Sequence, residues 1–235
     1  MIALLSDIHS NLPALQAVLT DAKDNGCDEF ISLGDVVGYG AQPGECIDLL
    51  RECGAVNVLG NHDSYLIGRQ KCSRSKVVAG IIEYQRNIVT GGHLDWLESS
   101  LPFLDRDNSL FVHGGPKNTL DQYLYVIDER TVPDSKGRLF SGHTHVQVLM
   151  ELASGKIYCN PGSVGQPRDG DCRAAYAIIK DDCIELRRVS YDIDAAAFAM
   201  QSAGFEAFIY EGLYKGAQIG GRIDRVVYVH DVQKT

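Results

Sequence analysis

The sequence predicts an α/β protein forming a single domain over residues 1–235. Three observations predict it. Strand-length apolar runs alternate with helix-period segments from the start of the chain to about residue 60, short β runs dominate from Leu110 onward, and the composition is that of an ordinary globular chain. The 235 residues are 45% hydrophobic and 23% charged. A chain of this size buries roughly 70% of its unfolded surface, so its core requires neither disulfides nor a structural metal.

Residues 2–6 (IALLS) form a short apolar run and predict a buried strand. Leu15, Val18, Leu19 and Ala22 follow at i, i+3, i+4, i+7 spacing, an amphipathic helix that Asn11 caps, Pro13 opens and Gly26 ends. The unit repeats as a strand near Phe30–Leu33, a helix over Pro43–Cys53 and a strand near Val56–Leu59. Such alternation implies parallel strands joined by crossover helices. Residues 76–100 read as helical, with Val77, Val78, Ile81, Ile82, Gln85 and Val89 on one face and a second short helix around Trp96. Short β runs then occupy 110–112, 139–140, 146–152, 156–159, 173–179 and 184–189, the last two meeting at a turn at Asp181-Asp182. Residues 193–215 return to helix, and Arg225–Val229 reads as a late strand.

The charge balance is acidic, 22 Lys and Arg against 31 Asp and Glu for a net −9, with no basic run. That argues against nucleic-acid binding through a broad basic face. Apolar stretches fall far short of the ~20 residues that cross a bilayer, and residues 1–6 lack a charged n-region and cleavage site; the expectation is a soluble, cytoplasmic protein with no membrane partner. Cys27, Cys46, Cys53, Cys72, Cys159, Cys172 and Cys183 stand singly, which fits reduced, packed thiols rather than a zinc or redox motif.

Chemistry concentrates just after the apolar runs, at the carboxyl ends of strands where open α/β sheets bind ligands. Five such ends carry metal-type side chains: Asp7-Ile8-His9, Gly34-Asp35, Gly60-Asn61-His62-Asp63, His113-Gly114 and Gly142-His143-Thr144-His145. Alone, Asp7 or Asp35 would read as a helix cap and His113 as a satisfied core histidine. As a set they read as metal ligands. Carboxylate, imidazole and amide donors suit manganese, iron or zinc better than calcium or magnesium. The candidates Asp7, His9, Asp35, Asn61, His113, His143 and His145 exceed what one ion needs, which favours two divalent transition-metal ions sharing one Asp at ~3.5–4 Å separation. His93 and His230 belong to no motif and read as solvated or structural.

In order and spacing, DIH, GD, GNHD, HG and GHTH resemble the calcineurin-like metallophosphoesterases over residues 1 to about 165. The resemblance implies a four-layer αββα sandwich with two central mixed β-sheets. It implies that Asp7, His9, Asp35 and His145 hold one ion, that Asp35, Asn61, His113 and His143 hold the other, and that Asp35 bridges. It further implies attack on phosphorus by a metal-bridging hydroxide, with His62 as a catalytic residue assisting charge or proton transfer and Asp63 orienting His62. The segment Asn160-Pro161-Gly162-Ser163 resembles the NPGS turn of small prokaryotic phosphoesterases of this family, where the turn lies near the site. Arg168 beyond it could clamp a nonbridging phosphate oxygen. Tyr39 could lie against the leaving group, against the simpler reading of an exposed loop tyrosine.

The resemblance has a gap. Calcineurin-type protein phosphatases carry an arginine-bearing GDxVDRG motif, and this chain reads Gly34-Asp35-Val36-Val37-Gly38-Tyr39-Gly40. A small phosphorylated substrate, nucleotides among the candidates, is therefore favoured over a phosphoprotein. The reading from another class is a binding scaffold of the same fold that has lost catalysis; here every motif position is filled.

Overall fold

The computed structural model describes residues 1–229. In chain order the elements are β1 (Ile2–Leu5), α1 (Leu12–Asp24), β2 (Glu29–Ser32), α2 (Pro43–Glu52), β3 (Val56–Asn57), α3 (Asn61–Leu66), α4 (Lys76–Arg86), α5 (Gly91–Glu98), β4 (Leu104–Arg106), β5 (Ser109–Phe111), β6 (Val126–Ile127), β7 (Arg138–Phe140), β8 (Val148–Glu151), β9 (Ile157–Asn160), β10 (Ala174–Lys180), β11 (Cys183–Val189), α6 (Ile193–Ser202), α7 (Ala207–Tyr210), a 3-10 turn (Glu211–Lys215) and β12 (Val227–Tyr228).

The strands form two mixed five-stranded sheets, ordered β11-β10-β1-β2-β3 and β4-β5-β7-β9-β8, with β6 and β12 pairing separately. In each sheet the parallel strands lie together, β1-β2-β3 in one and β5-β7-β9 in the other, with antiparallel partners beside them.

Alternation along β1 explains the layering. Ala3 and Leu5 point to one face and join Leu15, Val18, Ile47 and Leu50 of α1 and α2, while Leu4 points to the other and joins Ile31, Phe111, Phe140 and Ile179 between the sheets. Phe111 and Phe140 stack there, ring centroids 4.6 Å apart. The outer face of the second sheet, with Leu139 and Tyr158, packs on Leu124, Ile127 and Val132, joined by Val226 and Tyr228. The structure is an α/β sandwich with its two mixed sheets at the centre.

Several boundaries differ from the sequence reading, each for a local reason. The expected helix over 193–215 is broken at Gly204, whose φ of +82° ends α6, and resumes as α7 and the 3-10 turn. The third strand is cut to two residues because Val58 forms only an isolated bridge to Leu101 and the chain turns at Gly60 into α3, a helix the sequence did not announce. Strand β4 was also missed: Asp107 and Asn108 both take left-handed φ, +49° and +59°, and close a two-residue hairpin onto β5. The expected turn at Asp181-Asp182 joins β10 to β11 through the pair Lys180 and Cys183. Asn11 caps α1, its Oδ1 accepting from Ala14 N at 3.2 Å. All seven cysteines are free. Among the described residues no helix is long and apolar enough to cross a membrane.

Candidate metal centre

The loops after β1 and β2 are laced together before any side chain is considered. Asp7 N donates to Gly34 O (3.0 Å), His9 N to Asp35 O (3.0 Å) and Ser10 N to Val36 O (2.9 Å). Asp7, His9, Asp35, Tyr39, His143 and His145 all have positive φ, between +49° and +65°. Side-chain-bearing residues rarely adopt that conformation, and it persists only where surroundings over-determine it, most often at functional sites. The NPGS turn supplies part of the restraint. Ser163 Oγ and Gly165 N both donate to Asp7 O, at 2.6 and 3.0 Å, and Asn160 Nδ2 donates to Gly142 O at 2.8 Å.

The expected ligands converge in one buried pocket. Asp7, His9 and His145 offer donor atoms within 4.8 Å of one another, as do Asp35, His113 and His143. Asn61 joins the second group, its Oδ1 3.0 Å from His113 Nε2. Asp35 Oδ2 stands between the groups, 3.7 Å from His9 Nε2 and 3.4 Å from His113 Nε2. The other carboxylate oxygens are restrained: Asp35 Oδ1 accepts from His62 N at 2.8 Å, and Asp7 Oδ2 from Ser6 Oγ at 2.7 Å and His143 N at 3.0 Å. Asp7 Oδ1 is left buried with no hydrogen-bond partner, 3.2 Å from His145 Nε2.

The outward nitrogens determine what the inward ones can do. His9, His113 and His145 direct Nδ1 at the backbone carbonyls of Val37, Leu33 and Gln166, at 2.8, 2.9 and 2.7 Å. A carbonyl only accepts, so each Nδ1 carries a proton; His9 and His145, whose pKa burial lowers, are neutral and turn a bare Nε2 inward, whereas the His113 Nε2 faces the Asp35 carboxylate. His9 Nε2 and His145 Nε2 then face each other at 3.1 Å. Facing lone pairs and carboxylates in a buried pocket suit a cation. Burial alone would lower the pKa of His113, yet Asp35 beside it outweighs burial and pushes it up to about 9. Asp7 is treated in the same way from the other side: burial would raise it, and His145 holds it well below the ordinary carboxylate range. The residues present fit divalent-metal ligation.

His62 lies at the rim of this pocket, Nε2 3.9 Å from Asp35 Oδ2. Burial pushes its pKa down to about 4 against the pull of Asp35, so its ring is neutral at pH 7. The expected orienting contact from Asp63 is not made. Asp63 is the third residue of α3, and its carboxylate turns back to the helix start, Oδ2 accepting from Gly60 N (3.1 Å) and Oδ1 from Val37 N (3.2 Å). His62 Nδ1 has no hydrogen-bond partner. Packing holds the ring instead. A Cβ built on Gly38, where φ is +89°, would fall 2.1 Å from His62 Nδ1. Gly38→Ala is therefore expected to displace His62 and lower kcat by up to about 10²-fold, the cost of a misplacement near 1 Å, while ion binding measured by metal analysis is retained.

Tyr39 is not the exposed loop residue of the simpler reading. It is half-buried, packed edge-on against His9 (4.6 Å between centroids) and tilted against His62 (4.8 Å). Arg168 is buried, its Nη2 donates to Gln166 Oε1 at 2.7 Å, and its guanidinium lies 5.4 Å from the Tyr39 ring centre. Both line the cleft over the pocket, with His62, Tyr65, Arg74 and Tyr123.

Three residues escaped the sequence reading. Gln85, counted only as part of an apolar helix face, ties α4 to the Tyr39 loop by accepting from Gly38 N (2.8 Å) and donating to Gly40 O (2.7 Å). A lone amide on a buried stripe was the available signal. Asp121 and Tyr123 sit against His143 and belong to no motif. His93 is structural, its Nδ1 accepting from Thr90 N at the start of α5, and His230 lies outside the described residues.

Comparison with known proteins agrees with this geometry. The calcineurin-like phosphoesterase superfamily domain matches residues 1–182. The chain belongs to that superfamily. Among superfamily relatives, it is 37% identical to the uncharacterized protein MJ0912 of Methanocaldococcus jannaschii, over 92% of this chain and 98% of that one. It is 28% identical to phosphodiesterase YfcE of Escherichia coli, over 77% and 88% of the respective chains. The crystal structure of a metallophosphoesterase from Sphaerobacter thermophilus superposes with a TM-score of 0.79 at 34% identity, covering 92% of this chain and 98% of that one. Membership makes this a chain of a phosphoesterase family.

Proposed function

We propose that the protein is a dinuclear-metal-dependent phosphoesterase that hydrolyses small phosphate monoesters or diesters, nucleotides among the candidates. One observation carries this reading: two groups of buried acceptor atoms face each other across Asp35 with their protons turned outward. Asp7, His9, Asp35 and His145 would hold one divalent ion, and Asp35, Asn61, His113 and His143 the other, with manganese, iron or zinc suiting these donors. Bound there, the ions supply a nucleophile from water at neutral pH and neutralise charge on the phosphoryl oxygens.

The remaining work falls to the chain's own side chains. Among the described residues Arg168 has no carboxylate within ion-pair range, a buried cation that hydrogen-bonds through its side chain to the neutral Gln166 amide and lies over the Tyr39 ring. A phosphoryl oxygen in the cleft would complete it. His62 would donate a hydrogen bond to the phosphoryl or leaving oxygen, and Tyr39 would fix the His62 ring and flank the leaving group. Asp63 would act on the site only through the backbone it restrains. The name of the E. coli relative favours diesters.

The test is turnover of p-nitrophenyl phosphate and bis(p-nitrophenyl) phosphate by metal-reconstituted protein. Turnover of either is expected, faster for the bis-ester, and chelation should abolish it without cooperative loss of the circular-dichroism signal, because the three apolar clusters do not depend on the pocket. A protein that binds two ions yet hydrolyses neither would be a scaffold of this fold.

A further inference from the structure

The loop after β5 returns to the pocket. Gly114 N donates to Thr119 O (2.7 Å) and Gly115 N to Asn118 O (3.0 Å), bringing Asp121 and Tyr123 against the His143 imidazole. Asp121 Oδ1 lies 3.5 Å from His143 Nε2, and the Tyr123 ring stacks on His143 with centroids 3.8 Å apart and planes at 25°. Arg74, from the segment between α3 and α4, grips both Asp121 oxygens, Nη1 and Nη2 donating at 2.7 and 2.5 Å.

His143 is oriented unlike the other three imidazoles. His9, His113 and His145 give Nδ1–H to a backbone carbonyl and turn Nε2 inward. His143 turns Nδ1 inward, 3.0 Å from His113 Nε2, so its outward nitrogen is Nε2, which makes no hydrogen bond and faces Asp121 Oδ1 at 3.5 Å. A ligating imidazole needs an acceptor on its other nitrogen to set tautomer and ring angle, and on this side the group present is a carboxylate.

We propose that Asp121, held by Arg74, is the positioning residue for His143 and thereby sets the affinity of the second ion. The assignment rests on the two-ion reading above. The Asp121 carboxylate keeps the His143 proton on Nε2 and so presents the Nδ1 lone pair to the pocket, while Tyr123 restricts rotation of the ring. Arg74 fixes the carboxylate, anchoring a loop that no secondary-structure element holds.

Calorimetric titration of metal-stripped full chain with Mn²⁺ tests this, alongside thermal melts of the same stripped proteins. Wild type should bind two ions. Asp121→Ala should weaken one of them about 10–100-fold and leave the other unchanged, with no shift in the melting temperature of the stripped protein. Asp121→Asn, which keeps an acceptor oxygen, should recover part of the loss, and Arg74→Ala should weaken the same ion by less. Two unaltered affinities in Asp121→Ala, or equal weakening of both ions, would overturn the assignment. Should Asp121→Ala fail to fold, wild-type affinities in both Asp121→Asn and Arg74→Ala would overturn it equally. Wild type binding fewer than two ions would overturn the two-ion reading and this assignment with it, whereas two ions bound with wild-type affinities in every variant would overturn the role of Asp121 alone.

Discussion

Asp35→Asn is expected to lower occupancy at both ion positions together. Among the described residues its Oδ2 is the one carboxylate oxygen within 4 Å of imidazole nitrogens from both ligand groups, at 3.7 Å from His9 and 3.4 Å from His113. The amide removes the charge shared by the two positions and can turn an N–H toward bare nitrogens, replacing attraction by a competing donor. Metal analysis should find well under two ions per chain. Activity on either nitrophenyl ester should fall by on the order of 10³-fold or more, about 4 kcal/mol of transition-state stabilisation. Loss of a single ion would show that Asp35 does not bridge. The backbone cost should be small, because Asn retains the oxygen that accepts from His62 N and tolerates the left-handed φ of +52° at this position.

His62→Ala separates the chemical step from ion binding. The ring groups with His9 and Asp35, its Nε2 3.9 Å from Asp35 Oδ2, but unlike His9, His113 and His145 it has no backbone carbonyl anchoring its Nδ1. Its Nδ1 is sealed without a partner against Gly38. The neutral ring therefore offers the pocket one N–H, from Nε2. Two ions should remain bound in the variant, and kcat should fall about 10²–10³-fold, as when one preorganised donor to a developing oxyanion is removed. The leaving group distinguishes the roles. A hydrogen bond to a phosphoryl oxygen predicts similar losses for p-nitrophenyl esters and for alkyl esters with poor leaving groups. Proton donation to the leaving oxygen predicts a distinctly smaller loss with p-nitrophenolate. Unchanged rates on every substrate would remove His62 from the mechanism.

Legibility in the sequence follows from how local each determinant is. The β1-α1-β2-α2 unit was readable because its apolar periodicity, the Asn11 cap and the glycine stops act within a few residues. The seven candidate ligands were readable because they cluster at the ends of apolar runs, where a parallel sheet collects side chains whatever loops follow. Asp63 was placed beside the right residue and given the wrong contact. Adjacency in GNHD suggested a carboxylate on the His62 ring, but α3 starts at Asn61, and a carboxylate in the third position of a helix turns back to the first N–H. Tyr39 was similarly ambiguous, since a Gly-Tyr-Gly loop reads as exposed until Gln85 of a distant helix draws that loop onto the pocket.

By itself the sequence determined the α/β class, the apolar faces of the long helices, and the chemical types and order of the candidate ligand residues, all properties of short windows or of spacing along the chain. Only the tertiary structure decided which nitrogen of each histidine faces inward, that Arg168 is a buried cation without an acid partner among the described residues, and that Asp121 and Arg74 stand behind His143. These depend on approaches between segments tens of residues apart, from Arg74 to Asp121 and from His145 to Gln166. A carbonyl or carboxylate acquires its role from whichever atom packing brings within about 3 Å of it, and no local pattern records that meeting.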